Sequence, residues 1–240
     1  MKLVVPTETR AGERRVAVVP DLVSKLSGLG LEVIVQAGAG EASGAPDSAY
    51  VAAGASVTSD IASALRDADV VASVRPLNPS VSATLKKGAV TVSFLAPSAD
   101  GEQIRALSAA GVTSLSFELV PRISRAQSMD ALTSQALCAG YRAALVGAEL
   151  LPKFFPLLMT AAGTVQPANV VVLGAGVAGL QAIATAKRLG ARVSAYDVRP
   201  ASADEVKSMG ATFITLDLEA LEGGGGYAKE MTEDRAAQIG

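Results

Sequence analysis

The chain has no histidine and no tryptophan, a single cysteine, and aromatics at only 4% of its 240 residues. Without histidine, Ser-His-Asp and Cys-His catalysis and the usual catalytic zinc sites are excluded. One cysteine, Cys138, excludes an internal disulfide framework and any multi-cysteine zinc centre, and by residue type it is expected to be a small core hydrophobe. No charge of one sign dominates either. Twenty-one Lys and Arg against 23 Asp and Glu leave a formal charge of −2, so there is no global field for a polyphosphate and no nucleic-acid partner is expected. Any chemistry must therefore run on carboxylates, Lys, Tyr, Arg or a bound cofactor, with no metal.

Half of the residues are hydrophobic, enough to offset chain entropy in one large domain or two small ones. The start, MKLVVPTETRAGERR, meets charged residues too early for a secretory leader, which predicts a cytoplasmic chain. Residues 154–186 carry no charge, a run longer than a membrane helix needs, but Pro156, Gly163, Pro167, Gly174, Gly176 and Gly179 interrupt it. A buried strand and a helix joined by a turn is expected there instead.

Six segments begin with a glycine and continue as a short β-branched or aromatic run: 30–35, 54–57, 88–94, 111–117, 190–196 and 210–214. Each reads as a helix stop followed by a strand, and the stretches before them (DLVSKLSGLG, DSAYVAAG, EQIRALSAAG, AIATAKRLG, DEVKSMG) have helical apolar spacing. Residues 3–5 and 70–74 add two more strands. Alternating strands and helices predict the α/β class: two Rossmann-like doubly wound parallel-sheet domains. The rhythm breaks at MDALTSQALCAGYRAALVGAELLPKFF, which reads as one long helix, with interruption near Gly140 or Gly147 left open. The expected organisation is an N-terminal α/β domain over 1–127, a bridging long helix and linker over 128–167, and a nucleotide-binding domain over 168–240.

The strongest local signal is ANVVVLGAGVAGLQAIATAKRLGARVSAYDVR. Residues 169–173 form a buried-type strand, and Gly174, Ala175, Gly176, Val177 and Gly179 lie in a G-x-G-x-x-G turn opening a helix. A second strand ends at Asp197. In this context Gly174 permits the tight turn, Gly176 lets a pyrophosphate approach the backbone, and Gly179 lets helix and sheet pack closely. The pyrophosphate would sit on N–H groups at the helix start, and Asp197, with Val198 and Arg199 beside it, is placed to accept hydrogen bonds from an adenosine ribose. A carboxylate there repels a 2′-phosphate and favours NAD(H) over NADP(H), while Arg199 keeps the phosphate-bearing alternative open.

Two weaker constellations follow. In ELVPRISRAQSMD, Arg122, Arg125, Gln127 and Asp130 crowd between a strand end and a helix start, where ligand groups of open α/β folds gather. The plainer alternative is that Ser128 or Asp130 caps the long helix and the arginines are solvated. In LEGGGGYAKEM, four glycines, 223–226, precede Tyr227; composition alone leaves a lid and an inert linker equally open.

The segments RAGERRVAVVP, PRISRAQSMD, AGYRAALVGA, MTAAGTVQPANVVVLGAGVAGLQAIATAKRLGARV and GGGGYAKEM closely resemble the NAD(H)-binding component (domain I, the alpha or alpha1 polypeptide) of proton-translocating nicotinamide nucleotide transhydrogenase, along all 240 residues. The resemblance implies a Re/Si-specific NAD(P)+ transhydrogenase that is catalytic only with its partners, an NADP(H)-binding component and a membrane-spanning one. It implies a homodimer, cytoplasmic and peripheral to the inner membrane through those partners, with no span of its own. It assigns Arg122, Gln127 and Asp130 to the nicotinamide end of NAD(H). Thr133 stands where the family usually has Ser, which preserves the hydroxyl. Tyr227 matches the tyrosine of a mobile loop that closes over nucleotide.

Alanine dehydrogenase is the related family. It would imply a lysine and a histidine in the first domain, whereas ASVRPLNPS has Arg75 and no lysine, and TVSFLAPSAD has no histidine. Transfer between two nicotinamides needs neither, because the protein positions the rings and the hydride passes directly. An alanine-dehydrogenase-like oxidoreductase and a non-catalytic NAD-binding or assembly fragment stay open as alternatives. After Gly174 there is room for about three strands, half of a full dinucleotide fold, so the second domain is expected to be truncated, with an exposed sheet edge.

Overall fold

Gly30, Gly54, Gly88, Gly111, Gly190 and Gly210 all adopt φ between +66° and +97°, a region that L side chains rarely enter, and each stands just ahead of a strand. This punctuation sets the architecture of the computed structural model, which describes residues 1–98 and 101–216. The chain divides into two units, Met1–Met129 and Asp130–Gly240.

The first unit contains β1 (Lys2–Val5), α1 (Pro20–Gly28), β2 (Glu32–Gln36), α2 (Asp47–Ala52), β3 (Ser56–Thr58), α3 (Ile61–Asp67), β4 (Val70–Ala72), α4 (Pro79–Ser82), β5 (Val90–Ser93), α5 (Gly101–Ala109) and β6 (Thr113–Ser116). All strands are parallel, in the order β3-β2-β1-β4-β5-β6. That is the doubly wound order, reversing direction between β1 and β4. Val5, Val23, Val33, Val35 and Tyr50 pack on one side of β1, and Val4, Leu65, Val71 and Leu85 on the other. Two short helices are not legible in the apolar spacing. Helix α3 ends without a glycine and is instead started by Asp60, whose carboxylate accepts from Ser63 N–H at 3.1 Å. Helix α4 is a single turn opened by Pro79.

At the reversal point the loops after β1 and β4 are stitched together by charge. The Glu8 carboxylate accepts from Val74 N–H (2.6 Å) and Arg75 N–H (3.0 Å), just beyond the end of β4 at Ala72. Glu13 accepts from Arg15 Nε (2.7 Å) and Nη2 (2.6 Å) and from Arg75 Nε (3.1 Å). Arg15 also lies 6.0 Å from the Phe94 ring centre. The next loop along, after β5, is held by Glu118, which accepts from Leu95 N–H (3.1 Å), Ala96 N–H (3.0 Å) and Ser116 Oγ (2.6 Å). Ala96 sits at φ +46°, the non-glycine residue with positive φ among those described.

The second unit opens with α6 (Ala131–Leu150), continues through an antiparallel hairpin of β7 (Leu158–Thr160) and β8 (Gly163–Val165), and then runs β9 (Asn169–Leu173), α7 (Val177–Arg188), β10 (Arg192–Tyr196), α8 (Ser202–Ser208) and β11 (Thr212–Phe213). Strands β9, β10 and β11 are parallel in the order β11-β10-β9. The core gathers Phe155, Ile183, Val193 and Val206 with several alanines. Helix α6 is continuous through Gly140 and Gly147 and ends at Leu150, just before Pro152. The segment expected to bridge lies almost wholly in this unit. Among the described residues no helix is long and apolar enough to cross a membrane.

Three expectations are corrected. Cys138 is exposed, not a core residue. Two residues along a helix is a rotation of about 200°, so Cys138 faces away from Gly140, where α6 meets α7. Strand β9 is not buried throughout: Val170 and Val172 pack on the core, while Val171 and Leu173 are 58% and 72% exposed on the opposite face. The hairpin of β7 and β8, with strands of three residues each, stands where a simple linker is expected.

Two consequences can be measured. A Cβ at Gly140 would fall 2.0 Å from the Ala178 carbonyl oxygen, so Gly140→Ala must separate α6 from α7. The expected loss is about 2 kcal/mol, a fall of roughly 4–8 °C in thermal midpoint; an unchanged midpoint would contradict this packing. The hydrogen bonds from Arg15 hold Glu13 down to a pKa of about 2, against burial. A depressed carboxylate stabilises the fold above its ordinary value of 4.5 and loses that contribution as pH falls towards 2. Because both arginines are partly exposed, the contribution is on the order of 1–2 kcal/mol. Glu8, pushed up by its own burial, acts in the opposite sense. Glu13→Gln is therefore expected to be less stable than the parent at neutral pH, with the gap closing between pH 4.5 and 2 in thermal unfolding.

Candidate functional site

Strand β9 delivers the chain into a turn whose three glycines each do something different. Gly174 sits at φ +94°, so the reversal from strand to helix requires glycine. A Cβ on Gly179 would fall 1.8 Å from the Gly174 carbonyl oxygen, so α7 rests directly on the turn that starts it. Gly176, the residue ahead of α7, has nothing within 4 Å of where a Cβ would stand. The space over its backbone is open.

Helix α7 presents backbone donors into that space. Leu180 N–H makes the helical bond to Gly176 O (2.8 Å), so the N–H groups of Val177, Ala178 and Gly179 precede the ladder. Twelve residues of aligned peptide dipoles add a partial positive charge at this end, and no acidic side chain occupies the first turn to neutralise it. Val177 is 37% exposed at the rim. An open backbone, N–H groups ahead of the helical ladder and a glycine-only turn are the features a pyrophosphate needs, and the residues present fit that group.

The end of β10 lies across from this turn because β9 and β10 are paired from Asn169 and Arg192 up to Leu173 and Tyr196. Gly174 N–H then donates to Tyr196 O at 2.8 Å, and the Ala175 N–H donates to Asp197 Oδ2 at 2.7 Å. Asp197 Oδ1 accepts from Arg199 N–H (2.8 Å) and Arg199 Nε (2.9 Å), and Arg199 Nη2 reaches Oδ2 at 3.1 Å. Burial works against ionisation of this carboxyl, but the hydrogen bonds from the Arg199 side chain and from the N–H groups of Arg199 and Ala175 outweigh it, leaving its pKa below the ordinary carboxylate value. Val198, between the two, is half-buried.

The structure thus brings Gly174, Ala175, Gly176, Val177, Gly179, Asp197, Val198 and Arg199 together. Asp130 and Thr133 are also joined: Asp130 caps α6, accepting from Thr133 N–H (3.0 Å) and Thr133 Oγ1 (2.6 Å). The capping alternative is realised, by Asp130 rather than Ser128. Arg122 and Gln127 are exposed residues of the first unit, beside and within the 3₁₀ segment Ser124–Met129. Tyr227 and glycines 223–226 lie outside the described residues. The charged cluster of Glu8, Glu13, Arg15 and Arg75 takes no site role from the sequence, although Glu13 and Arg15 lie in RAGERRVAVVP; its signal is the charged stretch TETRAGERR soon after a central strand, at the place where open α/β sheets bind ligands.

Comparison with known proteins places these features in a lineage. The chain is 52% identical over 242 aligned positions to an NAD(P) transhydrogenase subunit alpha polypeptide of Rhodospirillum rubrum, covering 98% of this chain and 63% of that protein. It is 35% identical to alanine dehydrogenase of Mycobacterium tuberculosis over 216 positions, covering 89% and 57%. Among solved structures, transhydrogenase from Sinorhizobium meliloti superposes with a TM-score of 0.87 at 47% identity, over 90% of this chain and 64% of that one. The chain therefore spans somewhat under two thirds of these relatives' length. Residues 4–139 match the profile of the alanine dehydrogenase/PNT N-terminal domain and residues 143–238 that of its C-terminal domain, and the chain belongs to the alanine dehydrogenase/PNT family.

Proposed function

We propose that this chain is the NAD(H)-binding component of a proton-translocating transhydrogenase, presenting NADH to NADP+ held on a separate component. The observation that carries the reading is the turn at Gly174–Gly176–Gly179 with its open backbone, joined to Asp197 at the end of the neighbouring strand. The greater identity to a transhydrogenase subunit than to an alanine dehydrogenase supports the choice between the two.

In this reading the N–H groups at the start of α7 hold the pyrophosphate, and Asp197 faces the adenosine ribose. Bound NADH supplies a hydride that passes directly to the nicotinamide of NADP+. The chain's own contribution is to orient. Arg122, Gln127 and the Asp130–Thr133 pair serve the nicotinamide end, Tyr227 covers the bound nucleotide, and no side chain takes or gives a proton. The proposed assembly is a homodimer, peripheral to the membrane through the NADP(H)-binding and membrane-spanning components, with Re/Si-specific transfer.

Calorimetric titration of the 240-residue chain with NADH tests the first step. Saturable binding is expected. Gly176→Val, at a backbone conformation valine tolerates and with nothing for its Cβ to strike, should melt like the parent yet lose NADH binding by more than tenfold. Equal binding by this variant would remove the turn from the site. Hydride transfer should then appear only when an NADP(H)-binding component is added. NADH formed from NAD+ and L-alanine would favour the dehydrogenase alternative, and binding without turnover in either assay a non-catalytic role.

A further inference from the structure

A carboxylate offers about four lone-pair positions, and in Asp197 four donors from the described residues fill them. Two are backbone N–H groups, of Ala175 and Arg199, and cannot leave without undoing the junction between β9, α7 and β10. The other two are Nε and Nη2 of Arg199, at 2.9 and 3.1 Å. The Asp197 side chain is 6% exposed and that of Arg199 is 22% exposed, so the arginine is on the solvent side of the pair. A ribose diol approaching the carboxylate finds its positions taken, and only the guanidinium can yield them.

We propose that Arg199 is a specificity-determining latch, whose guanidinium holds the acceptor positions of Asp197 that an adenosine ribose would use and must swing out for NAD(H) to bind. The inference rests on the NAD(H) reading above. It gives one side chain opposite effects on the two nucleotides. For a 2′-hydroxyl the latch is a competitor. For a 2′-phosphate it is an asset, because the guanidinium neutralises Asp197 and can itself pair with phosphate oxygens. The latch therefore narrows the preference that the bare carboxylate would impose.

The test is titration of the full chain and of Arg199→Ala with NADH and NADPH separately, each protein first checked by thermal unfolding. In Arg199→Ala the Kd for NADH is expected to fall about tenfold and that for NADPH to rise about tenfold. Arg199→Lys, which keeps the charge but lacks the planar fork, serves where the alanine variant does not fold; it should tighten NADH a few-fold while leaving NADPH near the parent value. A side chain that only braced the turn would weaken both nucleotides together. That result, or unchanged NADH affinity in both variants, overturns the latch while leaving the cofactor reading intact. Absence of NADH binding by the folded parent chain overturns both.

Discussion

A single buried carboxylate, Asp197, decides the geometry of the second unit. By accepting from Ala175 N–H it fixes the turn between β9 and α7 against the end of β10, and by accepting from Arg199 it fixes the turn that leaves β10. Removing those bonds would leave a charge with few partners in a site sheltered from water, which is far costlier than losing an exposed ion pair. The open space over Gly176 lies between this bond and the packing of Gly179 on Gly174.

The same device recurs in the first unit. Glu8 takes two backbone N–H groups after β4, and Glu118 takes two after β5. Three carboxylates thus stand where parallel strands end and their N–H groups would otherwise go unmet. At these strand ends the carboxylates meet backbone, and arginines accompany carboxylates as well: Arg15 and Arg75 on Glu13, and Arg199 on Asp197.

Much of this is legible in the sequence. The runs after Gly30, Gly54, Gly88, Gly111, Gly190 and Gly210 become strands because β-branched residues fit a pleated surface and glycine alone supplies the left-handed stop. The glycine triplet announces its three roles by spacing. The hairpin of β7 and β8 stays hidden because its short strands, LMT and GTV, lie in a segment broken by Pro152, Pro156 and Pro167, which reads as a linker. Cys138 departs from the habit of its residue type because α6 is apolar around much of its circumference, and the buried side is set by which glycine touches Ala178, a tertiary fact. Nor can spacing reveal that Arg199 folds back on Asp197, since two residues in a turn can diverge as easily as meet.

The position of β1 bears on how the molecule is made. Strand β1, made before the other strands of its sheet, lies in the middle of that sheet, flanked by β2 on one side and β4 on the other. Glu8, which follows it directly, finds its donor 66 residues later at Val74. An emerging chain can pair β1 with β2 early, but the opposite edge of β1 stays open until residue 70 has left the ribosome. The order of the strands thereby imposes a waiting period on the nascent chain, and for most of it, until α3 brings Ile61 and Leu65, the apolar side chains of Val4 and Ile34 have no helix to cover them.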